Sequence, residues 1–197
     1  MIYYEIVDNF SEYSDGGIFM KTKSLHFTAQ AAIIAALYAV LTILQNIIFP
    51  GSASAAIQFR ISEALTILAV FTPAAIPGLT IGCIIANLSS ISLFGPLDII
   101  FGSHASLFAA TAMHLLRNIR FFHLPVLAAL MPALFNGLII GFEIAFFFTD
   151  AGFSLGGFFF AGAFVALGEL AVLFLLGLPL CVMMEKSNIH KIFFQKQ

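Results

Sequence analysis

Between Phe27 and Met184 the chain carries only eight charged residues: Arg60, Glu63, Asp98, Arg117, Arg120, Glu143, Asp150 and Glu169. Apolar stretches of about 18 residues or more separate most of them, long enough to cross a bilayer as helix. A soluble domain carries about 25% charged residues. Here 9% are charged and 61% hydrophobic, too few charges to clothe one core in water. Backbone groups in lipid must be satisfied within each segment, so the expected fold is all-α, an integral membrane bundle.

Six apolar spans are legible: Phe27–Phe49, Ile57–Phe71, Ile76–Phe94, Asp98–Leu116, Leu124–Phe148 and Gly156–Met184. Turn signals punctuate them at Pro50-Gly51-Ser52, Pro73, Gly95-Pro96 and Thr149-Asp150-Ala151-Gly152. Six spans place Lys21 and Lys23, then Arg117 and Arg120, then Lys186, Lys191 and Lys196 on one side. Arg60 is the single exception among the eight basic residues. Basic residues favour the cytoplasmic face, so both termini are expected there. One membrane domain covers 20–190 and a short cytoplasmic tail covers 191–197. The segment 1–19 has four acidic residues and no basic one. It is expected to be a disordered leader or the product of an upstream start, since Met20-Lys21-Thr22-Lys23 itself reads as a beginning.

Helices in lipid associate through close packing, which small residues at four-residue spacing permit. Gly78/Gly82 and Gly137/Gly141 provide this in the third and fifth spans. Ala31, Ala35 and Ala39 form a stripe on the first, with Ala32 and Ala36 beside it. The stripe reads either as packing within the bundle or as a smooth face for docking another membrane protein.

Charges inside a bilayer are costly and mark function or structural pairing. Arg60 and Glu63 enter at the outer end of the second span, three apart and so on one face. Asp98 begins the fourth span, as a helix cap or a ligand group, with His104 deeper. Glu143 lies roughly 28 Å up the fifth span, in its outer third, with Asn136 below it. Asn87 sits past the middle of the third span, and Glu169 is nearest the midplane. These groups converge on the outer half of the bundle, as a pocket opening outward would require. The candidate binding set is Arg60, Glu63, Asn87, Asp98, His104, Glu143 and Glu169.

Catalytic patterns are absent from the sequence: no His-x-x-x-His, no Gly-x-Ser-Gly, no Gly-x-x-x-x-Gly-Lys phosphate loop. A net charge of −2 argues against a nucleic-acid partner. Neither cofactor nor metal is expected, and Cys83 and Cys181 read as small core residues at different depths.

Three segments carry a resemblance: Ala56-Ile57-Gln58-Phe59-Arg60-Ile61-Ser62-Glu63-Ala64-Leu65-Thr66, then Phe71-Thr72-Pro73-Ala74-Ala75-Ile76-Pro77-Gly78-Leu79 with Gly82-Cys83-Ile84-Ile85-Ala86-Asn87-Leu88, and Leu97-Asp98-Ile99-Ile100-Phe101-Gly102-Ser103. From Met20 onward the chain resembles the QueT family, S components of energy-coupling factor (ECF) transporters associated with uptake of queuosine precursors. The acidic leader departs from that family's short amino terminus. The resemblance implies a bacterial cell-membrane protein, without its own ATPase, that binds a 7-deazaguanine. Its partners would be a transmembrane scaffold, docked through Ala31, Ala35 and Ala39, and two ATPase subunits. A 7-deazaguanine presents a ring N–H and an amine side by side, which one carboxylate can accept together. Arg60 or Asn87 would donate to the ring oxygen, and Phe59, Phe94 or Phe101 would stack on the ring. An S component for another vitamin-like solute, or a structural membrane protein whose acids only bond helices together, is the alternative.

The topology is checked by cysteine labelling in a background lacking Cys83 and Cys181. Cysteines at Ser54, Gly95 and Gly152 should react with an impermeant thiol reagent outside intact cells, while those at Asn118 and Ser187 stay silent. External labelling at Asn118 would end the six-span arrangement.

Overall fold

The computed structural model describes residues 2–50, 59–91, 95–149 and 152–194, with side chains at 24–50, 59–91, 95–149, 152–189 and 193–194. The linker at 51–58, Phe94, Asp150 and the last three residues lie outside that range. All the described elements are helical: α1 Ile2–Ile48, a 3-10 helix Ile61–Val70, α2 Ala75–Ser89, α3 Leu97–Leu116, α4 Val126–Ala129, α5 Met131–Phe147, α6 Leu155–Val172, a π-helical turn Leu173–Gly177, α7 Leu178–Lys186 and α8 Ile189–Phe194. Among the described residues, four stretches are long and apolar enough to span a membrane: Ser24–Ile48, Leu97–Leu116, Val126–Phe147 and Leu155–Lys186. The 3-10 helix and α2 are shorter apolar helices. Together these six segments correspond to the six expected spans, and the protein is an all-α membrane bundle.

The neighbours run in sequence order: α1 packs on α2, α2 on α3, α3 on α5, and α5 on α6. The 3-10 helix is the central strut. It touches α1, α2, α3, α6, α7 and the π turn, and only Ile61 and Leu65 of its ten residues are not buried. A 3-10 helix rises about 2.0 Å per residue, so this strut reaches about 20 Å where an α-helix of equal length would reach about 15 Å. Its winding is also narrower, and the small residues Ser62, Ala64, Thr66 and Ala69 let surrounding helices close in. Thr66 donates its hydroxyl to the Glu63 carbonyl at 2.7 Å, satisfying that carbonyl inside the core.

Helix contacts are set where side chains are missing. A Cβ on Gly78 would fall 2.8 Å from the Ala31 carbonyl oxygen, and one on Gly82 would fall 2.8 Å from Tyr38 Cβ and 2.9 Å from the Ala35 carbonyl oxygen. A Cβ on Gly141 would lie 2.6 Å from Gly162 Cα. Thus α1 meets α2, and α5 meets α6, at backbone distance, without any hydrophobic drive from lipid. This corrects one expectation. Ala31, Ala35 and Ala39 are buried against α2 and so form no docking face. The side of α1 that remains open carries Ala32, Ile33, Ala36, Leu37 and Val40.

The two alanines one residue apart give a direct check. Overfilling a packed contact costs about 1–3 kcal/mol. Ala35→Leu should therefore lower the melting temperature of the purified protein by several degrees, whereas Ala36→Leu should leave it near that of the parent. Equal tolerance of both changes would contradict the α1–α2 contact.

Candidate functional site

The segment entering the strut is held extended, and that places the first site residue. Arg60 has φ −93° and ψ 105° at the start of the 3-10 helix. Gln45 on α1 fixes this segment by both ends of its amide: its nitrogen donates to the Phe59 carbonyl, and its oxygen accepts from Ile61 N–H at 2.8 Å. One turn earlier, the Thr42 and Ser62 hydroxyls share a hydrogen bond of 2.6 Å. A further turn back, Tyr38 donates its phenol to Glu63 Oε1 and accepts from Arg60 Nη1 at 3.4 Å. The guanidinium also reaches Cys83 Sγ at 3.7 Å.

Four acidic side chains surround this arginine. Glu63 and Asp98 are electrostatic neighbours of Arg60. Glu143 on α5 is a neighbour of both Asp98 and Arg60. Glu169, one turn before the π turn, is a neighbour of Glu63 and Arg60 and also interacts with Asn136. Arg60 and all four acidic side chains are buried, the least of them Asp98 at 7% exposed. Asp98 lies in the first turn of α3 with Pro96 at the cap position and no side-chain cap bond, so it is not the helix cap the sequence allowed. Its carboxyl nonetheless benefits from the positive end of the helix.

What the acids lack is hydrogen-bond partners. Among the described residues, Glu63 Oε2, Asp98 Oδ2, both oxygens of Glu143 and Oε2 of Glu169 are buried without one. The Asn136 amide nitrogen, though close to Glu169, is also unbonded. Each orphaned buried polar group costs about 1–3 kcal/mol, so a cluster of them calls for an explanation, such as a bound water, an ion, a ligand or a catalytic role.

The remaining sequence-derived residues divide. Asn87 is buried beside the cluster, but its amide donates to the Asp98 carbonyl at 2.8 Å and lies 3.6 Å from Cys83 Sγ. It thereby anchors the start of α3, and Gly102 leaves it room, because a Cβ there would come within 2.6 Å of the Asn87 amide nitrogen. His104 is exposed on the outer side of α3, bonded to the Ile100 carbonyl and set against Phe108, so it stands apart from the acids. Phe101 joins an aromatic group with Phe142 and Phe147 of α5, flanking Glu143 in sequence. Among the described residues no cluster of His, Cys, Asp and Glu is arranged to hold a metal ion. A separate groove of about 370 Å³ between α5 and α6 is lined by Leu, Ala, Gly and Phe and contains none of these polar groups.

Sequence reasoning missed Tyr38, Thr42 and Gln45. The signal was present: Tyr38 is the sole tyrosine outside the leader, and 38, 42 and 45 repeat at the spacing of one helical face.

Comparison with curated proteins and with solved structures gives no match. Residues 28–186, most of the chain, match the family described as QueT transporter. That span takes in every element of the bundle that carries an acidic site residue. The chain therefore belongs to the QueT transporter family: it is a multi-pass membrane protein and the substrate-binding S component of a transporter, not an enzyme.

Proposed function

We propose that the protein captures a queuosine precursor of the 7-deazaguanine type from outside the cell, for ATP-driven uptake. It would present the base to a transmembrane scaffold bearing two ATPase subunits of an ECF transporter, in a bacterial cell membrane with both ends of the chain cytoplasmic. One observation carries the reading: among the described residues, buried carboxyl oxygens without partners neighbour one shared guanidinium, that of Arg60. Such a site is rich in acceptors and asks for a ligand rich in donors. A 7-deazaguanine offers a ring N–H and an exocyclic amine side by side, and its aminomethyl form adds an ammonium.

The pattern of open oxygens divides the work. Glu143 has both oxygens open and suits the paired N–H donors in bidentate fashion. Glu63 Oε2 and Asp98 Oδ2 are suited to the ammonium. Arg60 donates to the ring oxygen, Phe101 supplies the stacking face, and Glu169 with Asn136 forms the floor. Asn87 contributes by holding the start of α3. His104 contributes only if ligand entry turns α3. The partner is met through membrane-facing surface other than the buried alanine stripe.

Glu143→Gln and Glu63→Gln should each weaken binding roughly 10- to 150-fold, the effect of losing about 1.5–3 kcal/mol of charged hydrogen bonding. Expression and melting temperature should stay near those of the parent. Asp98→Asn should weaken the aminomethyl base more than its neutral nitrile relative. Unchanged binding of every deazaguanine by both Gln variants would assign the acids to structure alone.

A further inference from the structure

Tyr38 is fully buried, and its phenol oxygen is bonded to two charged site residues at once, donating to the carboxyl of Glu63 and accepting from the guanidinium of Arg60. Two polar contacts from the same face of α1 hold the backbone of the adjoining segment. These are Thr42 with Ser62, and Gln45 with Phe59 and Ile61. They fix where the segment runs; Tyr38 alone among the three fixes where the charged side chains point. Its position depends in turn on Gly82, whose missing side chain lets the Tyr38 Cβ sit against α2.

We propose that Tyr38 is a positioning residue of the binding site. By taking Glu63 Oε1, it leaves Oε2 as the single open oxygen, which is the state found. By accepting from Arg60, it orients the guanidinium toward its other neighbours, which include Asp98. A phenol is suited to this role because one oxygen can donate to an acid and accept from a base together. Without it, Glu63 presents two oxygens and the guanidinium turns to pair with them, withdrawing both groups from the ligand. The proposal rests on the acidic cluster being the substrate site, and it adds a residue that acts through Glu63 and Arg60.

The test is a double-mutant cycle with 7-aminomethyl-7-deazaguanine as probe, joined to an infrared measurement that needs no ligand. Tyr38→Phe should weaken the probe about tenfold, the loss expected for one charged hydrogen bond. Combined with Glu63→Gln, it should cause no further loss, because the two residues act as a unit. Thr42→Val should lower the melting temperature without changing the preference between aminomethyl and nitrile bases, which Tyr38→Phe should change. In the unliganded protein, the carboxyl band that disappears in Glu63→Gln should shift in Tyr38→Phe. If that variant is too unstable to purify, 3-fluorotyrosine at position 38 should shift the same band with the packing kept. Additive losses in the cycle, or a Glu63 band indifferent to both changes, would overturn the role of Tyr38. Failure of the parent to bind the probe would count against the deazaguanine reading instead, and the infrared result would still decide for or against Tyr38.

Discussion

The bundle is organised around an excess of buried acidic side chains over basic ones in its interior. Glu63, Asp98, Glu143 and Glu169 lie in the buried interior with Arg60 as their shared basic neighbour. An ion taken out of water costs several kcal/mol unless a partner repays it. One guanidinium cannot serve four carboxyl groups, and five of their oxygens have no hydrogen bond among the described residues. A purely structural core would be expected to bring helices together with satisfied amide or hydroxyl pairs, as Asn87 does with Asp98 and Thr42 with Ser62. The acids are held open where those groups are closed, and that contrast within one core favours a site awaiting donors.

Holding four acids near one point requires precise backbone placement, and the fold achieves it with its least regular pieces. The extended residue before the strut, the 3-10 helix itself and the π turn after Glu169 all border the cluster. Such irregular helical geometry is often retained at functional sites. The regular helices act as walls whose spacing is set by glycine and alanine. Because α1 and α2 meet at backbone distance, the side chains of Tyr38, Thr42 and Gln45 reach the strut. Packing on one side of α1 and polar bonding to the site are therefore one mechanical arrangement.

The membrane class and six apolar segments were legible because lipid imposes length and composition directly on sequence. The acidic residues were equally visible, since a buried charge stands out among apolar neighbours. Handedness of contact was harder to read. The Ala31, Ala35 and Ala39 stripe has the same spacing whether it meets α2 or a second protein, and only the glycines at 78 and 82, opposite it in space, decide. The outward turn of His104 depends on the rotation of α3, which the periodicity of a nearly all-apolar helix leaves open. The 3-10 winding of Ile61–Val70 likewise leaves no mark in a short, mainly apolar segment. Tyr38 was overlooked because an aromatic residue in an apolar span reads as core until its hydroxyl is placed.

The most direct measurement is mass spectrometry of the small molecule released from protein purified out of the membranes in which it works. The proposed function predicts a 7-deazaguanine bearing an amine, enriched on the parent protein and depleted on a variant whose four acids are changed to amides. An anionic molecule, or one without adjacent N–H donors, enriched equally on both proteins would contradict the account.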